Sequence, residues 1–114
     1  MKLAIIGGSL LKQLDSLAAN QQERVKTPYG EPSDHFTCGD INGIELVYFN
    51  RHGTSQHHIA PHHVNYKANM FALKTLDVTH IIAVTAVGGI TQRMSPMKRA
   101  VPDQLIDYTH VRIQ

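Results

Sequence analysis

Residues 7–9 (Gly-Gly-Ser) follow a short apolar run and precede a helical pattern, which is a position where proteins bind anions. Backbone N–H groups at the N-terminus of a helix point towards a ligand, and glycines let that ligand approach the backbone closely. The Ser9 hydroxyl can supply one more donor. The segment therefore indicates a phosphate site, although a tight strand-to-helix turn capped by Ser9 explains the same residues.

A second candidate is the pair Arg51 and His52, which directly follows a predicted strand over residues 44–49. Arginine offers a planar fork of donors that matches phosphate oxygens, and a neighbouring histidine can donate another hydrogen bond or a proton. In α/β sheets, ligands bind just beyond the carboxyl ends of strands. The pair therefore favours an anion site, and a solvated loop is the alternative interpretation.

A third segment, residues 85–89 (Thr-Ala-Val-Gly-Gly), follows the most apolar run of the chain. The Thr85 hydroxyl and the backbone N–H groups after it could hold an anion or a planar ring. Gly88 and Gly89 would let a ligand come close to the backbone. A turn at the end of a strand is the other interpretation of these residues.

Four histidines lie in the loop after Arg51 and suggest a metal site at first sight: His57, His58, His62 and His63. Zinc sites combine their ligands at fixed spacings, and this loop has no carboxylate or cysteine to complete a set. Pro61 also interrupts any single helical face. We therefore expect a polar loop here and no metal.

Hydrophobic patterning places the anion candidates at the ends of strands. Apolar runs predict strands over residues 3–6, 35–38, 44–49, 79–85 and 100–108, and helical spacing predicts helices over residues 10–18 and 64–76. The first helix is expected to fade near residues 20–23. Asn42 and Gly43 predict a tight hairpin. The pattern indicates an α/β fold with a mixed twisted sheet and flanking helices, in which Gly7, Ser9, Arg51 and Thr85 converge on one oxyanion pocket.

Residues 81–84 (Ile-Ile-Ala-Val) form one uninterrupted apolar run without a solvated face, so residues 79–85 predict a central strand buried on both faces. We expect the helix over residues 64–76 to pack on this strand. The side chains expected at that contact are Val64, Ala68, Phe71 and Ala72.

Composition excludes several classes of protein. The chain has 114 residues, 42% of them hydrophobic and 18% charged, which predicts a single globular domain over residues 1–114. A net charge of +2 does not indicate a nucleic-acid partner. We find no apolar run long enough to cross a membrane and no signal-peptide pattern. The chain has one cysteine, Cys38, which cannot form an internal disulfide. We expect Cys38 to lie in a strand as a small apolar residue, and we expect the protein to be cytoplasmic.

Six segments together are more specific than any one alone. In chain order they are residues 5–9 (IIGGS), 27–34 (TPYGEPSD), 51–53 (RHG), 61–69 (PHHVNYKAN), 85–89 (TAVGG) and 103–109 (DQLIDYT). Over essentially the whole chain, this order resembles the methylthioadenosine phosphorylase branch of the purine nucleoside phosphorylase family. The last two segments look most like the bacterial methylthioinosine phosphorylases of that branch.

The resemblance implies a pentosyltransferase of purine salvage. Its reaction is the phosphorolysis of methylthioinosine or methylthioadenosine to the free base and 5-methylthioribose 1-phosphate, with inorganic phosphate as co-substrate and no cofactor. The residues that match the family's phosphate-binding positions are Ser9, Arg51, His52, Thr85 and Ala86. Val87 and Gly88 match positions beside the base.

The resemblance also carries expectations about the assembly. It implies a homo-oligomer, a trimer, without a nucleic-acid or membrane partner. It covers the N-terminal half of the longer family members, so we expect a nucleoside phosphorylase-like fold that is incomplete at its C-terminus. The alternative function is that of a truncated, non-catalytic remnant that binds phosphate or associates with a partner chain.

Overall fold

The structure is a computed structural model that describes residues 1–8, 21–54 and 56–109. The helix predicted over residues 10–18 lies outside these ranges, as does Ser9. Within them, the regular elements are, in chain order, β1 (Lys2–Gly7), β2 (Gln21–Glu23), β3 (Phe36–Ile41), β4 (Ile44–Asn50), α1 (Tyr66–Thr75) and β5 (His80–Ala83), with 3-10 turns at Pro61–His63 and Gln92–Met94.

The five strands form one mixed sheet in the order β2-β3-β4-β1-β5. β1 runs parallel to both of its neighbours, β4 and β5, whereas β2, β3 and β4 pair antiparallel. The predicted α/β class with mixed strand directions is confirmed. Because β1, β4 and β5 are parallel, their carboxyl ends lie at the same edge of the sheet.

The hairpin between β3 and β4 forms at the predicted residues. Asn42 and Gly43 both have positive φ values, 52° and 80°, which is the backbone of a two-residue turn that matches the twist of the strands. The Gly43 N–H donates to Oδ1 of Asp40 at 3.0 Å. The turn sets the register, in which Ile41 faces Ile44.

The hydrophobic core lies between α1 and the middle strands of the sheet. Phe36 and Phe49 are fully buried, with 4.9 Å between their ring centroids, and Leu73 of α1 is buried in the same cluster. The remaining buried members of this cluster are Ala4, Val47, Ala72 and Leu76. The helix therefore covers β1, β3 and β4.

The prediction of a central strand over residues 79–85 is wrong for the described part of the chain. β5 pairs with β1 on one side only and stands at the edge of the sheet, with all four residues exposed. Ile81 and Ile82 retain 42% and 51% of their surface. The strands paired on both sides are β3, β4 and β1, and α1 packs over these three strands.

The predicted packing of the helix on residues 79–85 is wrong, since all four β5 residues are exposed and the buried face of α1 covers β1, β3 and β4. Three of the four side chains predicted on that face are nevertheless buried. Val64, Ala68 and Ala72 are buried as expected, but Phe71 is 37% exposed and its ring meets the edge of Tyr29 instead of the core. The buried side chain at this level of the helix is Leu73. A shift of two residues along a helix rotates a side chain by more than half a turn, so the two side chains point in different directions.

Two further predictions differ from the structure. Residues 21–23, where the first helix was expected to fade, form strand β2 against β3. Residues 100–108, predicted as a strand, have no regular structure, and Leu105 and Ile106 are 76% exposed. In both places, strand formation depends on whether a neighbouring strand is available for pairing. A short polar or apolar run in the sequence does not reveal that partner. Within the described residues, no helix is long and apolar enough to cross a bilayer.

Cys38 lies in β3 and is partly buried beside the core, as the sequence predicts. Burial raises the pKa of its thiol, the carboxylate of Glu23 raises it further, and the ammonium of Lys2 acts in the opposite direction. The protonated thiol is therefore the favoured form in the folded chain, which agrees with a packing role.

This raised pKa predicts a loss of stability in alkaline solution. Above about pH 8.5 the unfolded chain releases the thiol proton while the folded chain retains it, so rising pH favours unfolding. We expect Cys38→Ala to lose less stability than the parent chain between about pH 8 and pH 10, measured by urea denaturation. If the free energy of unfolding fell equally steeply with pH in the two proteins, the raised pKa of Cys38 would be contradicted.

Candidate functional site

Three strand ends meet at the carboxyl edge of the parallel strands. β1 ends at Gly7, β4 ends at Asn50 and β5 ends at Ala83. The backbone N–H of Arg51 donates to the Gly7 carbonyl at 3.1 Å, and the N–H of Val84 donates to the Ile6 carbonyl at 2.9 Å. These main-chain bonds continue the ladders by one residue and bring the segments after all three strands together.

The Arg51 side chain spans this edge. Its Nη1 donates to the Val84 carbonyl at 2.9 Å, and its Nη2 donates to Oγ1 of Thr85, also at 2.9 Å. Gly8 lies beneath the guanidinium, because a Cβ added there would be 3.2 Å from Nη2. The structure thus brings Arg51 and Thr85 together beside the glycines, as the sequence predicts; Ser9 lies outside the described residues.

The contacts leave donors available on both side chains. A guanidinium has five N–H groups, and the contacts with Val84 and Thr85 use two of them. Thr85 accepts from Arg51 through its oxygen, so its own O–H can donate elsewhere. Thr85 is exposed and Arg51 is partly exposed, so an incoming oxyanion can reach them.

His52 is held by the loop that follows it. Its backbone N–H donates to Oδ1 of Asn50 at 2.9 Å, and its Nδ1 lies 3.1 Å from the Ile59 carbonyl oxygen. The N–H of Ile59 donates back to the His52 carbonyl at 2.8 Å. The ring is therefore fixed at the same strand end as Arg51.

The turn after His52 requires glycine at position 53. Gly53 has φ 75°, and a Cβ there would overlap the His57 carbonyl oxygen and lie 3.2 Å from the Ser33 carbonyl oxygen. A side chain would therefore be both strained and obstructed. Gly53 allows residues 31–34 to pack directly on the turn that carries Arg51.

Two asparagines of the PHHVNYKAN segment hold residues 27–34 in place, a role that sequence reasoning missed. Asn69 is 3% exposed; its Oδ1 accepts from the Ser33 N–H at 2.8 Å and its Nδ2 donates to Ser33 Oγ at 2.9 Å. Asn65 caps α1 by accepting from the Ala68 N–H and donates to the Tyr29 carbonyl at 2.7 Å. The spacing of four residues between an asparagine at the helix N-cap and one within α1 is a weak sequence signal, because it does not reveal which residues the two side chains contact.

Asn69→Ala is expected to lower the free energy of unfolding by about 1–3 kcal/mol, because it leaves buried polar groups of Ser33 without partners. The measurement is urea denaturation together with hydrogen exchange of the Ser33 amide, which should accelerate. The matched control is Lys67→Ala on the exposed side of α1, expected within about 0.5 kcal/mol of the parent. Equal stability of the two variants would show that the Ser33 contacts contribute little.

The remaining predicted residues, Ala86, Val87 and Gly88, follow β5 as an exposed segment without regular structure. Val87 is 69% exposed, and no described atom lies within 4 Å of a Cβ added to Gly88. Gly89 differs, since a Cβ there would overlap the backbone carbonyl of Met94. The space beside Gly89 is thus taken by the chain itself and not left open for a ligand.

The histidine loop has two ring contacts. His52 stacks with His58, and His62 lies 4.1 Å from His63 between ring centroids. In the part of the chain that the structure describes, no three histidine, cysteine or acidic side chains come close enough to share a metal ion.

A sequence model of the Phosphorylase superfamily matches residues 2–113, which is nearly the whole chain. The chain belongs to this superfamily. The resemblance inferred from the six sequence segments is thereby confirmed at the level of the superfamily.

Individual relatives are similar along the full chain. S-methyl-5'-thioadenosine phosphorylase of Drosophila melanogaster is 45% identical over 114 residues, which are 100% of this chain and 39% of that protein. The protein of the same name from Thermosynechococcus vestitus is 40% identical over 98% of this chain and 38% of its own length. A Xanthomonas campestris protein named "Probable S-methyl-5'-thioinosine phosphorylase" is 44% identical over 97% of this chain and 44% of its own.

Solved structures show the same fold. Methylthioadenosine phosphorylase from Schistosoma mansoni in its apo form has a TM-score of 0.67 and 41% identity, over 73% of this chain and 29% of that chain. Its complex with tubercidin gives the same values. The chain spans less than half the length of each of these relatives.

Proposed function

We propose that this chain binds inorganic phosphate for the phosphorolysis of a 5'-methylthio-purine nucleoside, methylthioinosine or methylthioadenosine. The names of the relatives support the substrate class, and membership of the superfamily supports the reaction. The observation that carries the phosphate site is the Arg51 side chain, which crosses the ends of three parallel strands and is held there by Val84 and Thr85.

The held guanidinium explains why phosphate would bind at this edge. Arg51 supplies a permanent positive charge and a planar set of N–H donors, which match two oxygens of a phosphate dianion. Thr85 can donate its hydroxyl proton to a further oxygen, and the backbone beside Gly8 has no side chain that would block the approach. Because Val84 and Thr85 already orient the arginine, little side-chain freedom is lost on binding.

In the proposed reaction, a phosphate oxygen forms a bond to the anomeric carbon while the bond from that carbon to the purine nitrogen breaks. The electron pair of the broken bond leaves with the purine, which takes up a proton, and the sugar becomes the 1-phosphate. Positive charge develops on the sugar, and the bound phosphate lies next to it. The task of Arg51, His52, Ser9, Thr85 and Ala86 is to hold and orient that dianion.

The base is proposed to lie beside Val87 and Gly88. The openness of this segment favours a second candidate function, anion binding without turnover, because no described atom lies within 4 Å of a Cβ added to Gly88. The two candidates share the phosphate site and differ in whether a nucleoside is cleaved.

The test is a phosphorolysis assay with methylthioinosine, methylthioadenosine and inosine, beside a calorimetric titration with phosphate alone. Base release that requires phosphate, and that falls in Thr85→Val but not in Thr91→Val, supports the phosphorolytic function. Phosphate binding without base release supports the second candidate. Absence of phosphate binding to the parent chain would refute both.

A further inference from the structure

The loop that follows Gly53 turns back so that His58 packs on His52. The two imidazole rings are stacked, with 5.6 Å between their centroids and 24° between their planes. Gly53 and His58 form an isolated antiparallel bridge, and the Ile59 N–H donates to the His52 carbonyl at 2.8 Å. Main-chain hydrogen bonding therefore sets the spacing of the two rings, although His58 itself is exposed.

A hydrogen bond fixes the same His52 ring along one edge. Its Nδ1 lies 3.1 Å from the Ile59 carbonyl oxygen. A carbonyl oxygen only accepts, so Nδ1 carries the proton, and Nε2 of the neutral ring is an acceptor left for a donor group of a ligand. The Ile59 carbonyl thus holds one edge of the His52 imidazole, and the His58 ring packs against one of its faces.

We propose that His58 is a positioning residue for the anion site, because its ring keeps His52 in the orientation in which Nε2 can accept a hydrogen bond from the P–OH group of a bound hydrogen phosphate. The inference rests on the proposed phosphate site and assigns His58 no contact with the anion. Without the stack, the His52 ring is held along one edge by the Ile59 carbonyl but loses the support of its face, so it rotates more readily and exchanges the roles of its two nitrogens. Since an aromatic pair contributes modestly, phosphate affinity should fall by about 3- to 10-fold rather than vanish.

The experiment compares His58→Ala with His58→Phe at one pH. Inorganic phosphate is titrated by calorimetry, and proton–nitrogen NMR of the imidazoles identifies which nitrogen of His52 carries the proton. We expect His58→Ala to weaken phosphate binding and to convert the single His52 tautomer into a mixture. His58→Phe keeps an aromatic face against His52 and should restore both the affinity and the single tautomer.

His63→Ala is the matched control, because it also removes an exposed histidine that contacts another histidine ring, His62. It should leave both readouts unchanged. The proposal is overturned if His58→Ala keeps the single His52 tautomer, or if His58→Phe weakens binding as much as the alanine. Failure of the parent chain to bind phosphate would refute the proposed function instead, since the tautomer signal does not depend on phosphate.

Discussion

Arg51→Ala should weaken phosphate binding by about 1.5–3 kcal/mol, or roughly 10- to 150-fold, the range for a hydrogen bond to a charged group. The reason is that Arg51 is the cation that crosses all three strand ends, and alanine removes both its charge and its fork of donors. The measurement is a calorimetric phosphate titration of the folded variant. Its thermal unfolding is followed in parallel, because the contacts of Arg51 with Val84 and Thr85 are lost as well.

Two variants separate the causes of this effect. Arg51→Lys keeps the charge and loses the planar fork, so its affinity should lie between those of the parent and Arg51→Ala. Arg93→Ala removes an exposed arginine elsewhere on the chain and should leave phosphate binding unchanged. Phosphate affinity that is the same in Arg51→Ala and Arg93→Ala would place the anion site elsewhere.

Leu73→Ala should lower the free energy of unfolding by about 2–5 kcal/mol, the range for truncating a buried leucine. Leu73 is 1% exposed and lies in the cluster that joins α1 to Phe36 and Phe49. Its truncation leaves a cavity between the helix and the middle of the sheet. The measurement is urea denaturation monitored by circular dichroism.

Phe71→Ala is the control for that prediction, since it truncates a larger apolar side chain on the same helix. Phe71 is 37% exposed and makes an edge contact with Tyr29, so its loss should cost about 0.5–1.5 kcal/mol. If Phe71→Ala proved as destabilising as Leu73→Ala, α1 would be rotated relative to the structure, and the face predicted from the sequence would be the correct one.

The candidate site could be located from the sequence because its signals are local. Gly8, Arg51 and Thr85 each follow an apolar run, and parallel strands bring such positions to one edge of a sheet. The contacts within the site could not be foreseen. The Val84 carbonyl, which holds Arg51, is a backbone group that every residue possesses, so no residue type marks it.

The supporting contacts were also invisible in the sequence. Asn69 and Ser33 are 36 residues apart, and their two hydrogen bonds exist only because α1 lies against residues 27–34. The position of Asn69 within a helix was predictable, but a polar residue there is equally compatible with a solvated face. Its burial follows from packing, which the helical period alone does not reveal.

Residue types close together in the sequence were enough to predict the hairpin at Asn42 and Gly43, the strands over residues 3–6 and 44–49, and the family resemblance. Turn conformations and short apolar runs depend on neighbours in sequence, and a motif is preserved as a string of residues. The order of the strands depended on packing, which placed β5 at the edge although its run of residues 81–84 is the most apolar. Burial depends on which surfaces are covered, and α1 covers β1, β3 and β4 through contacts between residues far apart in the chain.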